Sequence, residues 1–439
     1  MSSTVQYTDM KDSGIKWIGS VPSHWHLHTL YQLATQVKNK NSDLREKNLL
    51  SLSYGKIKRK DINTNDGLLP ASFDGYNIIE AGDIVLRLTD LQNDHNSLRV
   101  GQATERGIIT SAYTTLRSIN PAHSRYLYYL IHAFDLKKGF YGMGSGVRQG
   151  LNYDEVKELR IAIPSQKEQD AITSFLDGQC SRIDELITES KTIIEEQKQW
   201  RASIIQEAVT KGLSPDVPKK KSQLEWIEEI PASWDAARLK TLFTFGKGLP
   251  ITKENLVESG VAVISYGQIH SKSNPGTRVT NDLIRYVPEI YLTTNPDSLA
   301  EQFDLLMADT SEDLAGCGNC VYVDTDDTLF AGYHTIILRS VHKHSNKYLS
   351  YLFKSDAWRS QIRTRVSGVK LFSISRKILG VLTVLLPPED EQNQIVDYLD
   401  RECGLIDSII EEKEALISEL EVYKRSLIYE VVTGKRKVV

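Results

Sequence analysis

Apolar residues recur with coiled-coil spacing in two long stretches of the chain, one ending near residue 211 and one near the C-terminus. They lie mostly seven residues apart or alternate between three and four, with Glu-rich positions between them. This spacing predicts two long helices, each with one apolar seam. The seam positions are Leu176, Ile183, Ile187, Ile194, Ile204 and Ala208 in the first stretch and Ile395, Leu399, Ile406, Ile410, Ile417, Leu420, Leu427 and Val431 in the second.

Each helix would contain about 45 residues and extend about 68 Å at 1.5 Å per residue. Ser165 and Glu168, which follow Pro164, predict a capping box at the start of the first helix, and Gly212 marks its end. A helix with a single apolar stripe needs a partner, and the nearest candidate is the other copy. The alternative is two unrelated surface helices on separate globular bodies.

The two helical stretches are copies of each other. Residues 164–211 and 387–434 are identical at 18 of 48 aligned positions, where unrelated sequences would give about three. A second block, with Trp17 and Trp25, returns 209 residues later with Trp226 and Trp234. These tryptophans are predicted to be packing anchors where each globular segment meets the helices.

The segments between the repeats show mixed α/β patterns. Apolar runs at 83–88 and 335–339 predict strands, and 125–134 and 347–353 predict short helices. The predicted fold is therefore α+β: two globular α/β domains separated by two long antiparallel coiled-coil helices, with a pseudo-twofold internal repeat. The predicted divisions are 1–164 and 227–387 for the two domains, 165–212 and 388–435 for the helices, and 213–226 for the linker.

Chain order predicts how these parts are connected. The linker contains Pro215, Pro218 and three lysines and is short and stiff. The second globular segment should therefore begin at the far end of the first helix. The second helix can pack along the first only by running back. We expect an antiparallel pair of rods with one globular body at each end.

Composition narrows the functional class. The chain has 439 residues, a net charge of −4 and four cysteines, which favours several domains in a reduced, cytoplasmic setting over a disulfide-linked secreted protein. The sequence contains no apolar run of about eighteen residues, so no membrane span is predicted.

The net charge is unevenly distributed between the segments. Residues 27–164 contain 18 basic and 14 acidic residues, and 236–386 contain 17 and 14. The helical stretches are acidic, with 6 basic and 9 acidic residues in 165–211 and 7 and 13 in 387–439. This distribution is typical of two DNA-facing modules joined by an acidic scaffold.

A glycine-rich segment is the most informative candidate for nucleic-acid contact. Small residues allow backbone N–H groups to approach a phosphate, and a following cation completes the grip. Glycine-rich turns are also common as simple connections between helices and strands. Here, however, a basic residue follows the glycine at the same place in both copies. The predicted contacts are Ser145, Gly146, Arg148 and Gln149, with Ser367, Gly368 and Lys370 in the second copy.

A second candidate is the basic cluster at 54–60. Cations beside an aromatic ring are suited to an edge that follows the DNA phosphate backbone. The alternative is a hairpin whose charged side chains are only solvated. The residues are Tyr54, Lys56, Lys58, Arg59 and Lys60, and the second copy has Tyr266, Gln268 and His270 instead. Arg87 and Thr89, which follow a predicted strand, have donors suited to base edges.

Motifs for catalysis or metal binding are weak in this sequence. Cys317 and Cys320 form a single CxxC without a second ligand pair, so we expect no metal site. Cys180 and Cys403 occupy equivalent helix positions and are predicted to be small core residues. The sequence has no GxxxxGK[ST], HExxH or GxSxG motif and no Asn/Asp-Pro-Pro-Tyr/Phe motif of the amino-methyltransferase type.

Together these repeats resemble the specificity subunit of Type I restriction–modification systems. The resemblance covers essentially the whole chain and includes the helix ends 207–212 and 430–435. It implies two target-recognition domains that each read half of a split, asymmetric double-stranded DNA site, with the helices setting the gap. It also implies that methylation and cleavage belong to separate modification and restriction subunits, which would bring S-adenosylmethionine, ATP and Mg²⁺, and that this chain binds no cofactor and is not an enzyme.

Two other classes of function stay open. A coiled-coil adaptor that binds proteins would show no salt-dependent affinity for DNA. A self-sufficient DNA methyltransferase or nuclease would be active without partner subunits.

Overall fold

The computed structural model divides the chain into two compact units. Unit 1 contains Met1–Ser190 and Glu414–Val439, and unit 2 contains Lys191–Lys413. The structure describes residues 6–63, 70, 72–94, 96–143, 150–342, 344–368 and 370–438. The division falls in the middle of both long helices, so each unit contains half of each.

The first half of the chain begins with short strands and ends in a long helix. Its elements are β1 (Met10–Asp12), β2 (Ser20–Pro22), β3 (His26–Thr29), β4 (Ala34–Gln36), β5 (Leu50–Ser53), β6 (Lys56–Arg59), β7 (Asn77–Ile79), β8 (Ile84–Leu86), β9 (Val100–Gln102), β10 (Gly107–Ile109), β11 (Thr114–Ser118), α1 (Ser124–Leu136), α2 (Tyr153–Val156), β12 (Arg160–Ile163) and α3 (Gln166–Lys211).

The second half has the same general order with more short helices. Its elements are β13 (Lys219–Lys221), β14 (Glu229–Pro231), β15 (Asp235–Arg238), α4 (Leu239–Leu242), β16 (Phe243–Lys247), β17 (Val261–Ile264), α5 (Tyr266–Ile269), β18 (Arg285–Val287), α6 (Tyr291–Thr294), β19 (Leu299–Ala300), β20 (Leu305–Ala308), β21 (Thr310–Ser311), β22 (Cys320–Tyr322), β23 (Leu329–Ala331), β24 (Thr335–Ser340), α7 (Asn346–Lys354), α8 (Asp356–Arg363), β25 (Phe372–Ser373), α9 (Arg376–Val381), β26 (Thr383–Leu386) and α10 (Glu389–Val432).

Each unit contains a four-stranded antiparallel sheet of the same topology. The strand order is β4-β11-β8-β9 in unit 1 and β16-β24-β20-β22 in unit 2. In both sheets, the strand that comes first in the sequence pairs with the strand that comes last. That last strand also pairs with the second one. The predicted strands at 83–88 and 335–339 and the predicted helices α1 and α7 are confirmed. The duplication therefore extends through segments whose sequences differ.

Two smaller strand pairs repeat with the offsets of the sequence repeats. Met10 is opposite Pro22 in β1–β2, and Lys219 is opposite Pro231 in β13–β14. The pair β3–β12 likewise corresponds to β15–β26. Strand β13 consists of three lysines inside the predicted linker 213–226, so part of that linker is a strand.

The units differ in the structure beside the shared sheet. Unit 1 has the hairpin β5–β6 and the pair β7–β10, whereas unit 2 has a second four-stranded sheet, β18-β17-β23-β19. Pairing of β17 with β23 is parallel, and residues 49 and 108 form a parallel bridge in unit 1. We therefore treat β5 and β17 as equivalent strands.

The long helices contain 46 and 44 residues, which confirms the predicted length. The predicted seam residues are buried, except that Ile417 and Leu420 are half-buried. Their close spacing on one face explains why the charged residues between them lie outward.

The helices are antiparallel within each unit. In unit 1 the Lys424 ammonium donates to Asp184 at 2.6 Å, and the Arg436 guanidinium lies over the Phe175 ring. The contact therefore moves from α10 to the residues that follow it as it moves towards the N-terminus of α3. In unit 2 Arg201 pairs with Asp407, and a Cβ on Gly212 would lie 2.8 Å from Glu391 Oε1, so the two segments run in opposite directions there too. Asp184 and Asp407 are equivalent, as are Arg201 and Lys424, so the repeat makes the same ion pair twice. The predicted antiparallel pairing with a pseudo-twofold repeat is confirmed.

The predicted capping box at the start of α3 is wrong. The backbone N–H groups of Glu168 and Gln169 donate to the Ser165 carbonyl. The Glu168 carboxylate instead accepts hydrogen bonds from Trp25 Nε1 at 3.1 Å and from the Tyr7 hydroxyl. A fully buried tryptophan needs an acceptor for its N–H, and it competes successfully for this carboxylate. Trp25 thus anchors the globular part of unit 1 to α3.

The repeated Glu-Gln motif fastens each long helix to a short one. Gln169 donates to the Pro164 carbonyl, and its side-chain oxygen is 2.7 Å from His123 Nδ1 at the start of α1. Gln392 donates to Pro387 and accepts from the Ser345 N–H at the start of α7. Both glutamines are buried, so each satisfies backbone groups that water cannot reach.

Candidate nucleic-acid interface

The predicted basic cluster of unit 1 is the hairpin β5–β6. Tyr54 and Gly55 form its two-residue turn, with φ of 47° and 76°. Positive φ at both positions is typical of the type I′ turn that matches the twist of hairpin strands. The turn leaves the Tyr54 side chain 77% exposed, so its ring is available at the hairpin tip.

The hairpin cations are not equally available. Lys58 and Lys60 are exposed. Arg59 donates to Glu105 at 2.7 Å, and this partner raises the pKa of Arg59. The Lys56 ammonium is 3.6 Å from Asp184 on α3. Phosphate contact by Arg59 or Lys56 would therefore have to compete with a carboxylate.

The loop after β8 contains the other predicted contacts of unit 1. The Arg87 guanidinium is 3.5 Å from Asp94, and Thr89 is exposed. The segment 144–149, which includes the predicted contacts Ser145, Gly146, Arg148 and Gln149, lies outside the described residues. Leu151, two residues after this segment, donates its N–H to the Leu88 carbonyl at 2.9 Å, so Leu151 lies beside the loop after β8.

A fully buried arginine holds the loop after β8. The Arg99 guanidinium donates to the carbonyls of Thr89 and Asp94 at 2.8 and 2.6 Å and to the Tyr141 hydroxyl at 3.0 Å. It also donates to the carbonyls of Arg87 and Asp90. Sequence reasoning missed this residue, because its position between Leu98 and Val100 is its only signal.

The groups below this loop are also buried. Asp135 accepts from the Arg99 N–H at 2.6 Å, and burial raises its pKa to about 6. Burial lowers the pKa of His132 on α1 to about 4, with Lys424 and Arg125 adding to the effect. These groups belong to the core that supports the loop.

In unit 2 the segment equivalent to the hairpin tip is a helix. Ser53 is the last residue of β5, and the corresponding Ser265 comes directly after β17, where Tyr266–Ile269 form α5. The Gln268 side chain accepts from the Ser265 N–H and closes a capping box. Lysine stands at the corresponding position 56 and has no acceptor with which to close such a box. The similar sequences Ser-Tyr-Gly-Lys-Ile and Ser-Tyr-Gly-Gln-Ile therefore take different conformations.

The predicted contacts Gln268 and His270 both have internal partners. The Gln268 oxygen caps α5, so bidentate pairing with adenine would open that cap. His270 Nε2 is 2.7 Å from the Thr310 carbonyl, and its Nδ1 is 3.0 Å from Asn319 Nδ2. This geometry makes Nε2 the donor and Nδ1 the acceptor. Tyr266 is half-buried, with its ring edge-to-face against His334 at 5.6 Å.

A cavity of about 550 Å³ opens beside α5. It is lined by Tyr266, Gly267, His270, Ser311, Glu312, Asp313, Ala315, Gly316 and Asn319. The predicted contacts of α5 therefore share a surface with the loop 309–319, which sequence reasoning did not select.

The second glycine segment reaches the same region. Ser367, Gly368 and Lys370 are exposed, and the chain then enters β25, where Phe372 pairs with Ser311. A Cβ on Gly368 would lie 2.1 Å from the Leu371 carbonyl oxygen. This glycine is thus required by a close backbone approach, whatever the segment binds.

The CxxC residues support the rear of this loop. Cys317 and Cys320 are buried, and burial raises the pKa of Cys320 to about 11. Cys180 and Cys403 are also buried, as predicted for core residues. Within the described ranges, no group of three or more His, Cys, Asp or Glu side chains could hold a metal ion. The described helices include none long and apolar enough to cross a membrane.

Comparisons with known proteins agree with this architecture. Residues 231–421 match the family described as "Type I restriction modification DNA specificity domain". The chain is 23% identical over 395 residues to the Type I restriction enzyme MjaVIII specificity subunit of Methanocaldococcus jannaschii, covering 89% of this chain and 84% of that protein.

The resemblance to Type I specificity subunits is confirmed. The putative Type I restriction enzyme MjaX specificity subunit of the same organism is 23% identical over 448 residues, and 96% of each chain is covered. A solved chain from work on "complex assembly and conformational transition of the type I R-M system" aligns with a TM-score of 0.67 at 14% identity. It covers 94% of this chain and 98% of that one, so the fold of that solved chain extends over both units.

Proposed function

We propose that this chain is the DNA sequence-recognition subunit of a Type I restriction–modification complex. Each of its two target-recognition domains reads one half of a bipartite, asymmetric DNA site, and the helical pair sets the spacer. The observation that carries this function is the repeated scaffold with unlike surface elements. The four-stranded sheet, the buried glutamines Gln169 and Gln392 and the ion pairs between the long helices recur in both units. The hairpin of unit 1, by contrast, is replaced by a helix in unit 2.

Repetition of a scaffold with different surfaces suits two related but unequal ligands. Binding one partner twice would favour equal surfaces. Two different DNA half-sites have the same backbone and different base edges. A shared scaffold can contact the same backbone in both half-sites, while unlike side chains contact the different base edges.

The predicted contact residues form two proposed interfaces. In unit 1 they are Tyr54, Lys56, Lys58, Arg59, Lys60, Arg87 and Thr89, together with the segment 144–149. In unit 2 they are Tyr266, Gln268, Ser367, Gly368 and Lys370, with His270 acting through the loop it holds. Lys58, Lys60 and Lys370 are exposed, and they are proposed to contact phosphate.

The chemistry of modification is assigned to other chains. Specificity subunits are in general non-catalytic parts of their complexes, and we extend this role to the present chain. Its proposed partners are a modification subunit with S-adenosylmethionine and a restriction subunit with ATP and Mg²⁺. The cytoplasmic setting, the domain boundaries and the placement of one globular body at each end of the helices stay predictions.

Exchange of the globular segments tests the proposal. Residues 235–386 would be replaced by a second copy of 26–163, with cuts beside the equivalent strand pairs β3–β12 and β15–β26. The full chain and the hybrid would each be produced with the modification subunit, and methylated sites would be mapped in cellular DNA. We expect a split asymmetric site for the chain and a symmetric site, made of one half-sequence twice, for the hybrid.

The reciprocal hybrid, with two copies of 235–386, is the matched control. It should give a symmetric site made of the other half-sequence. Methylation without a split motif, or hybrids that keep the parental asymmetric motif, would contradict the proposal. Absence of any salt-dependent DNA binding by the complex would favour a protein-binding adaptor.

A further inference from the structure

The two shared sheets each extend a loop from the second strand to the third. In unit 1 this loop joins β8 to β9, and in unit 2 it joins β20 to β22. The loops therefore occupy equivalent places on equivalent sheets. Their sequences, 87–99 and 309–319, have almost nothing in common.

Both loops are braced, but by different means. In unit 1 the brace is the buried guanidinium of Arg99. In unit 2 the His270 ring connects the Thr310 carbonyl with Asn319. Arg359 donates to the Ala315 carbonyl at 3.0 Å. Bracing of this kind lowers the entropy lost when a loop binds.

The turn inside the unit 2 loop is also closed by internal contacts. The Ser311 hydroxyl donates to the Asp313 carbonyl at 2.7 Å, and the Asp313 carboxylate accepts from the Gly316 N–H at 2.6 Å. A Cβ on Gly316 would lie 2.5 Å from Ser311 Oγ. The base of the loop therefore has little freedom, and the carboxylate of Asp313 is occupied.

The tip of this loop points its side chains to solvent. Glu312 and Ala315 are exposed, and Leu314 is 42% exposed. Glu312 makes no hydrogen bond or ion pair with any residue that the structure describes, and no Lys or Arg is among the residues described as lining the cavity beside it. A rigid loop thus presents one unneutralised carboxylate beside an exposed apolar side chain.

The chemistry of a carboxylate restricts what it can do against DNA. An ionised carboxylate only accepts hydrogen bonds, and phosphates repel it. Exocyclic amino groups of bases are the donors that DNA offers in the major groove, and Glu accepts most characteristically from cytosine N4. A carboxylate at the tip of a reading loop therefore favours a base edge over the backbone.

We propose that the loop 309–319 is a base-reading element of unit 2 and that Glu312 selects a cytosine through its N4 amino group. The inference rests on the proposed function and specifies the chemistry of one half-site. His270 and Arg359 are positioning residues that hold the loop, and Leu314 excludes water beside the contact. The equivalent loop of unit 1 exposes Gln92 and Asn93 instead, so a change at Glu312 concerns one half-site only.

The test is Glu312→Gln in the full chain. The complex with the modification subunit would be used to select duplexes from a pool randomised across both half-sites. We expect the preference for cytosine at one position of one half-site to fall about tenfold or more and to move towards adenine, because Gln pairs with adenine. The other half-site should be unchanged. Glu258→Gln, an exposed carboxylate elsewhere in unit 2, should leave both half-sites unchanged.

Two results would overturn the inference. One is an unchanged motif with affinity raised equally for all sequences, which would make Glu312 a surface charge that only repels phosphate. The other is a change in the half-site of unit 1. If the unsubstituted complex selects no split motif, the proposed function itself fails, and that outcome is distinct from both. A thermal unfolding curve equal to that of the parent shows that a changed motif is not due to misfolding.

Discussion

At the residue scale, equivalent positions make the same contacts in both units. Tyr126 donates to the Val432 carbonyl in unit 1, and Tyr348 donates to the Val209 carbonyl in unit 2. Such buried hydroxyl-to-carbonyl bonds satisfy helix-end carbonyls that have no partner within the helix. These positions are therefore explained by packing, whereas the residues that differ between the units are the candidates for recognition.

Arg99 is predicted to be the most important single support of the unit 1 loop. Arg99→Met would keep much of the side-chain volume but leave four loop carbonyls without their donor. We expect a loss of about 3 kcal/mol or more of stability, with faster amide hydrogen exchange around 84–102. Arg45→Met is the matched control, because the Arg45 side chain is 86% exposed. Equal exchange rates in the two variants would contradict a bracing role.

His132 is predicted to make unit 1 sensitive to acid. Its pKa is lowered from 6.5 to about 4 by burial and by Lys424 and Arg125, so the unfolded chain takes up a proton at a higher pH than the folded one. The stabilising contribution is complete above pH 6.5 and is lost as the pH falls towards 4. At pH 5 the loss is roughly 2 kcal/mol.

Asp135 opposes this effect, because its pKa is raised to about 6. As the pH falls, the folded state takes up this proton at a higher pH than the unfolded state does. His132→Gln should therefore reduce the loss of stability between pH 7.5 and pH 5, measured by urea denaturation at the two values. His26→Gln, at an exposed position, should leave the pH dependence as it is. If the pH dependence of stability is unchanged in His132→Gln, burial of His132 is not the cause of the acid sensitivity.

At the element scale, two short sequences that differ in a single side chain take two different structures. Ser-Tyr-Gly-Lys-Ile forms a type I′ turn in unit 1, and Ser-Tyr-Gly-Gln-Ile forms a capped helix in unit 2.

The glycines of the long helices serve different purposes. Gly212 and Gly434 end helices with φ of 77° and 69°, whereas Gly178 and Gly404 lie within helices with nothing within 4 Å of an added Cβ.

Substitution of these glycines by alanine is expected to change stability in opposite directions. Gly178→Ala and Gly404→Ala should each stabilise the protein by about 0.5–1 kcal/mol, because alanine restricts the unfolded chain and favours helix. Gly434→Ala should destabilise it, because the new Cβ would lie 2.3 Å from Pro22 Cδ. Gly212→Ala should cost less, since the nearest atom is a flexible Glu391 oxygen at 2.8 Å. Thermal unfolding of the four variants checks this order, and a destabilising Gly178→Ala would contradict it.

At the scale of the whole molecule, both long helices continue from one compact unit into the other. Residues 190 and 191 and residues 413 and 414 lie at the division between the units. These two places are suitable for insertions, since neither lies in a globular segment. A seven-residue insertion keeps the apolar seam on the same face.

Insertion of one heptad at both places tests the role of the helices in spacing. Seven residues add about 10 Å of helix, which corresponds to about three base pairs at 3.4 Å each. We expect the spacer in the methylated site to lengthen by about that amount while both half-sequences stay the same. An insertion into only one helix is the control and should disrupt the pair. Altered half-sequences in the doubly extended chain would refute the spacing role.

The candidate site was only partly predictable from sequence. The hairpin cations and the exposed lysines follow from local composition, since charge and turn propensity are properties of neighbouring residues. The braces were not predictable, because Arg99 contacts carbonyls 5 to 12 residues away and Arg359 contacts a carbonyl 44 residues away. The loop 309–319 was missed for the same reason.

Sequence alone determined the repeat, the length and seam of the helices, and the family resemblance, because periodicity and duplication are visible along one dimension. Tertiary structure alone decided that Glu168 bonds with Trp25 and not with its own helix start, and that unlike loops arise from the same edge of two equivalent sheets. Burial sets both outcomes: a polar group removed from water takes the partner that the fold brings near it, and that partner can be distant in the chain.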